Sequence, residues 1–129
     1  MNPTSAPDTG AGPPPGLDPQ ALARLRELDP DGRHGVVPRV LAAYETSLQR
    51  MLVQLRAAPD PAHPGVLASV AHMLKSSSAS VGALALARTC AEVEARLRIG
   101  DASSLAGDLA RLIADAEAAL VAVAAILRK

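Results

Sequence analysis

The sequence predicts an all-α protein, an antiparallel four-helix bundle with a short additional N-terminal helix. Three observations predict it. Hydrophobic residues make up 49% of the 129, yet Phe and Trp are absent and Tyr44 is the single tyrosine. The core must therefore be aliphatic, and Ala and Leu are strong helix formers. The β-branched and aromatic runs that mark strands are missing. Finally, four long stretches carry apolar residues at three- and four-residue steps, separated by Pro- and Gly-containing breaks.

The elements follow in order. Residues 1–17 are rich in Pro, Gly, Ala, Ser and Thr and include Pro13-Pro14-Pro15. Such a segment buries too little apolar surface to offset its ordering entropy and is expected to be a disordered tail. The folded domain is expected over 18–129. Asp18-Pro19 has the pattern of an N-cap followed by proline at the first helical position. Leu22, Leu25 and Leu28 give this first helix a short apolar stripe, and Asp29-Pro30-Asp31-Gly32 ends it in a turn. A longer helix is expected from about Val36 to Ala57. Pro38 falls in its first turn, where a backbone N–H has no intrahelical partner. Val37, Leu41, Tyr44, Leu48, Met51, Leu52 and Leu55 line its inner face.

Pro59, Pro61 and Pro64 break the chain. The next helix should start near Pro64 and stop at Gly82, a residue suited to a left-handed C-terminal turn. The fourth carries Leu84, Leu86, Cys90, Val93 and Leu97 and ends at Gly100-Asp101. Ser103 or Ser104 is placed to cap the last helix, whose Leu105, Leu109, Leu112, Ala116, Leu120, Val123 and Leu127 form a heptad-like seam. Arg128 and Lys129 then meet the negative end of the helix dipole. Each buried Leu or Val contributes roughly 1.5–3 kcal/mol before entropy is counted, enough to hold such a bundle without metal or disulfide.

Composition excludes several function classes. Lys plus Arg total 13 and Asp plus Glu total 13, a formal net charge of zero. A nucleic-acid interface would need a basic excess. Cys90 is the only cysteine, so no internal disulfide framework exists, and it reads as a small buried hydrophobe in a reducing compartment. The N-terminus lacks the basic and apolar regions of a signal peptide, and the apolar run Ala118–Leu127 is too short to span a bilayer. A cytoplasmic protein that binds no membrane is expected.

His72 is the residue that carries chemistry. At about 100° per residue, Leu67, Val70, Leu74 and Val81 fall on one helix face and His72 on the opposite one. Gly65, Ala68, Ser69, Ser76 and Ala79 all lie within roughly 60° of it. A solvated face would normally carry Glu, Lys, Gln and Arg. A lane of very small side chains offers the imidazole to another macromolecule at close range. Lys75 stands about 4.5 Å further along the axis, within reach of an anionic group on the ring.

Other uses of the histidines fit less well. No His-x-x-x-His or Glu-x-x-His spacing occurs, and His34 and His63 sit in Gly- and Pro-bounded turns, so no metal site is expected. No Asp or Glu lies within a helical turn of His72 to orient it as in a triad. There is no glycine-rich phosphate loop and no acidic cluster for Mg²⁺. Ser77 is expected to face the core and return its hydroxyl to the Met73 carbonyl. A lone helical histidine is commonly just a solvated residue, so three readings stand at this point: a bare nucleophile used in trans, a helical adaptor, and a metal-dependent bundle enzyme.

The run Ala71-His72-x-Leu74-Lys75-Ser76-Ser77-Ser78-Ala79, followed by Gly82-Ala83, resembles the signature of histidine-containing phosphotransfer (HPt) domains. Leu84, Leu86, Cys90 and Glu92-x-Glu94 resemble that family's next helix, and the resemblance covers most of Leu17 to Lys129. It implies a four-helix bundle whose histidine accepts a phosphoryl group from a receiver-domain aspartyl phosphate and passes it to another receiver. By that resemblance His72 is the phosphoacceptor and Lys75 stabilises the phosphate. Ala68, Ser69, Ser76 and Ala79 would form the receiver-docking surface, and Gly82 the turn that ends the helix. The family usually has Gly where this chain has Ser76, which bears on partner preference. The resemblance implies a phosphocarrier and not an enzyme, with no cofactor and no metal of its own. The catalytic aspartate and Mg²⁺ would belong to the partner, a receiver domain of a response regulator or of a hybrid sensor histidine kinase. A monomer is the expected state. The rival is a helical adaptor that binds or sequesters a receiver without phosphotransfer.

Overall fold

The computed structural model describes residues 16–57 and 64–128. Within them the chain forms five helices and no strand: α1 (Pro19–Glu27), α2 (Val36–Ala57), α3 (Pro64–Val81), α4 (Leu84–Arg98) and α5 (Leu105–Leu127). Helices α2 to α5 pack as a closed ring, each against its two chain neighbours, with α5 returning to α2. Short α1 lies across α2 and α3. This is the expected four-helix bundle with its extra N-terminal helix. The tail expectation falls outside the described residues except at Gly16 and Leu17, and Leu17 packs against the core.

The core sits on the axis of the ring, on the stripes that the spacing marks. Leu41, Leu48, Leu52 and Leu55 of α2 meet Val70 and Leu74 of α3, Leu86 and Val93 of α4, and Leu112 and Val123 of α5. Cys90 is fully buried among them, and burial pushes its thiol up to about 12, so it acts as a small apolar side chain. Two leucines expected on core stripes stand outside. Leu28 is 68% exposed because α1 has already ended at Glu27 and Leu28 serves as its C-cap. Leu84 is exposed at the first turn of α4.

The serine run also turns out differently. The Ser77 hydroxyl does reach the Met73 carbonyl at 3.3 Å, but Ser77 is only half-buried. Ser78 is the one that faces the core, fully enclosed, and shares a 2.8 Å hydrogen bond with the Tyr44 hydroxyl across the α2–α3 seam. The reason is register: Ser78 lies four residues after Leu74, on the stripe that Val70 and Leu74 bury.

Helix ends are set by contacts from elsewhere in the chain. The Asp18 side chain makes no cap bond; its backbone N–H donates to the Gly82 carbonyl at 2.9 Å instead. Gly82 has φ +86°, and a Cβ there would lie 2.6 Å from the Asp18 nitrogen. Glycine is needed twice over, for the left-handed turn and for the close approach of α1. The buried carboxylate of Asp29 accepts the backbone N–H groups of His34 and Val36, capping α2 from across the turn. At α5, Ser104 occupies the N-cap without a side-chain bond, and the Ser103 hydroxyl donates to Asp101, so neither serine caps as expected. His34 lies exposed in the α1–α2 turn, and His63 is outside the described residues. No described helix is long and apolar enough to cross a membrane.

Candidate functional site

The rotation of α3 decides where His72 points. Leu67, Val70, Leu74 and Val81 bury one stripe of the helix. His72, half a turn away, then faces solvent with its side chain 73% exposed. Ser69, Ser76 and Ala79 lie exposed on the same face, with Gly65 at its start and Ala68 half-buried. The expected lane of small residues therefore surrounds the ring. Met73, beside it, adds an exposed apolar side chain that the wheel did not single out.

A carboxylate meets the ring from the neighbouring helix. Glu94 of α4 places Oε2 at 2.7 Å from His72 Nδ1 and Oε1 at 2.5 Å from Lys75 Nζ. Arg98, one turn further along α4, brings Nη2 to 3.7 Å from the same Oε2. Hydrogen bonds from Lys75, and then from His72, hold the Glu94 carboxyl down at about 2, well under its ordinary 4.5. Glu94 is therefore ionised at neutral pH and can only accept. Nδ1 must carry the ring proton, which leaves the lone pair of a neutral imidazole on Nε2. Among the described residues Nε2 has no hydrogen-bond partner.

A carboxylate does orient the imidazole, although, as the sequence indicates, none lies within a turn of it on α3. The Lys75 ammonium is engaged by the same Glu94. Glu94 escapes a search along one helix because it lies 22 residues downstream of His72. The signal available in the sequence is its place beside Val93 and four residues after Cys90, on the flank of the buried stripe of α4. Gly82, the remaining residue singled out, closes α3 and takes no part in the cluster. Among the described residues no group of three or more His, Cys, Asp or Glu side chains is arranged to hold a metal ion.

An exposed imidazole with one nitrogen tied to a carboxylate and the other open is arranged for nucleophilic attack on a partner's group. A family model of the Hpt domain matches residues 39–123. The chain belongs to the Hpt domain family. Hpt proteins carry phosphoryl groups on histidine in phosphorelays, interact with receiver domains, and are phosphocarriers rather than enzymes. The fold is similar to the crystal structure of histidine-containing phosphotransfer protein B (HptB) from Pseudomonas aeruginosa PAO1. That match has a TM-score of 0.73 and 24% identity, over 88% of this chain and 96% of that one. No curated protein sequence matches the chain.

Proposed function

We propose that His72 is the phosphoacceptor of this Hpt domain and that its Nε2 atom takes the phosphoryl group. The observation that carries the reading is the 2.7 Å contact of Nδ1 with an ionised Glu94, which leaves Nε2 as the exposed nucleophile. In the proposed step the Nε2 lone pair attacks the phosphorus of an aspartyl phosphate on a receiver domain. The N–P bond forms as the P–O bond to the aspartate breaks, and the electron pair stays on that carboxylate. The receiver supplies the aspartate and Mg²⁺; this chain supplies an oriented nucleophile and a surface that brings the atoms into line.

Ala68, Ser69, Ser76 and Ala79 would be the docking surface, because their short side chains let a receiver approach the ring closely. Lys75 would stabilise the arriving phosphoryl group by turning its ammonium from Glu94 towards it. The reverse reaction on a second receiver, in a response regulator or a hybrid sensor histidine kinase, would complete a cytoplasmic relay.

The test is incubation with a phosphorylated receiver domain. The wild-type chain should gain an acid-labile, alkali-stable phosphate that maps to His72. His72→Gln should lose all uptake while retaining receiver binding. Phosphate on Ser76 or Ser77, or undiminished uptake by the variant, would overturn the assignment. A chain that binds the receiver but never takes phosphate would be an adaptor.

A further inference from the structure

The Glu94 contact has a chemical consequence once a phosphoryl group is on the ring. Attack by Nε2 uses the lone pair of a neutral imidazole whose proton sits on Nδ1, so the product ring carries a positive charge. Two fates are open to that product. With its Nδ1 proton kept, the ring departs later as neutral imidazole, a good leaving group. With the proton lost, it would have to depart as an imidazolate anion, and the phosphoramidate becomes inert.

We infer that Glu94 is a positioning residue that keeps the phosphorylated ring of His72 protonated on Nδ1 and so keeps its phosphoryl group transferable. The inference rests on His72 being the phosphoacceptor. Glu94 Oε2 already lies at hydrogen-bond distance from Nδ1 and is the counter-charge for that position. Its side chain is 13% exposed against 73% for the histidine, so the carboxylate is held against the protein while the ring projects from it. The charged groups that face Glu94 are Lys75 from α3 and Arg98 from its own helix. Behind them lies the buried Cys90 thiol, which remains neutral.

Lys75, with His72, keeps the carboxylate ionised in the free protein, and the Lys75 ammonium can turn to the phosphoryl oxygens when these arrive. Proton and electron accounts then close in each direction. On loading, N–P forms, P–O breaks and Nδ1 keeps its proton. On unloading, P–N breaks, the pair returns to Nε2, and the neutral ring with its Nδ1–H···Glu94 contact is restored. No proton has to leave or enter the site in a complete cycle.

The experiment loads the full chain with potassium phosphoramidate, a small phosphodonor that needs no partner. Phosphate loss is then followed by ³¹P NMR as a function of pH in wild type, Glu94→Gln and Glu94→Asp. Glu94→Gln is isosteric and keeps an acceptor for Nδ1–H but removes the charge. A charge-assisted hydrogen bond is markedly stronger than a neutral one, so the Gln variant should lose phosphate about tenfold more slowly at mildly alkaline pH. Its loss profile should move to lower pH, and the imidazole ¹⁵N signal of its phosphorylated ring should show Nδ1 deprotonated where the wild type retains the proton. Glu94→Asp keeps the charge and should stay nearer the wild-type profile. Superimposed profiles for wild type and Glu94→Gln, both phosphorylated on His72, would overturn the inference. If His72 takes no phosphate from either phosphoramidate or a phosphorylated receiver, the phosphoacceptor reading itself fails, which His72→Gln distinguishes as the control.

Discussion

One carboxyl, Glu94, and one phenol, Tyr44, report on the packing at the scale of single residues. Glu94 releases its proton more readily in the folded chain than in the unfolded one, because Lys75 and His72 donate to its carboxylate. Its contribution to stability is therefore complete above about pH 4.5 and is lost as pH falls through about 2. A carboxyl titration by NMR should find its midpoint near 2, and Lys75→Met should move it upward; an ordinary midpoint would show that the contacts do not persist in solution. Tyr44 shifts the other way. Burial, more than its bond to Ser78, sets its direction and raises the phenol to about 12. Its share of stability is full below pH 10 and disappears as pH rises through 12. Since Tyr44 is the single tyrosine, tyrosinate absorbance reads it without overlap. Tyr44→Phe leaves the Ser78 hydroxyl enclosed and unpaired and should cost about 1–3 kcal/mol. Adding Ser78→Ala should recover part of that in denaturant unfolding.

At the scale of helices, the parts of the fold that repeat locally are readable in the sequence. The three- and four-residue steps of Leu41, Leu48, Leu52 and Leu55 fix the inner face of α2, and Pro64 and Gly82 bound α3 as their backbone chemistry requires. What the sequence hides is whatever joins distant positions. The Asp29 carboxylate caps α2 from seven residues before Val36, Tyr44 finds Ser78 over 34 residues, and Glu94 finds His72 over 22. Helical periodicity gives the direction in which His72 points but not what the adjacent helix presents to it. Gly82 combines the two kinds of information. Its left-handed turn is expected from position alone; the 2.6 Å approach of Asp18 is not. Gly82→Ala meets both obstacles and should destabilise the domain by roughly 2 kcal/mol or more, with α1 displaced from α3. Unchanged stability in denaturant unfolding would mean that α1 does not dock there.

For the whole molecule, an aliphatic core provides the stability and polar contacts set the order of the seams. Ion pairs tie α2 to α5 through Arg56 and Glu117, α4 to α5 through Arg96 and Asp108 and through Arg111 and Glu92, and α3 to α4 through Lys75 and Glu94. The exposed ones each contribute about 1 kcal/mol or less, so their effect is on register. The α3–α4 pair is different in kind because its carboxylate also holds the histidine. The bundle thus leaves one nitrogen of the His72 imidazole open to solvent and fastens the other to Glu94, and in the proposed function the open one is what a visiting receiver meets. The most direct measurement is the position of the phosphate after transfer from a phosphorylated receiver, read by ¹H–¹⁵N NMR of the imidazole. The expected result is a phosphoryl group on Nε2 of His72, with the proton remaining on Nδ1. A phosphate on Nδ1, or on any other residue, would contradict it.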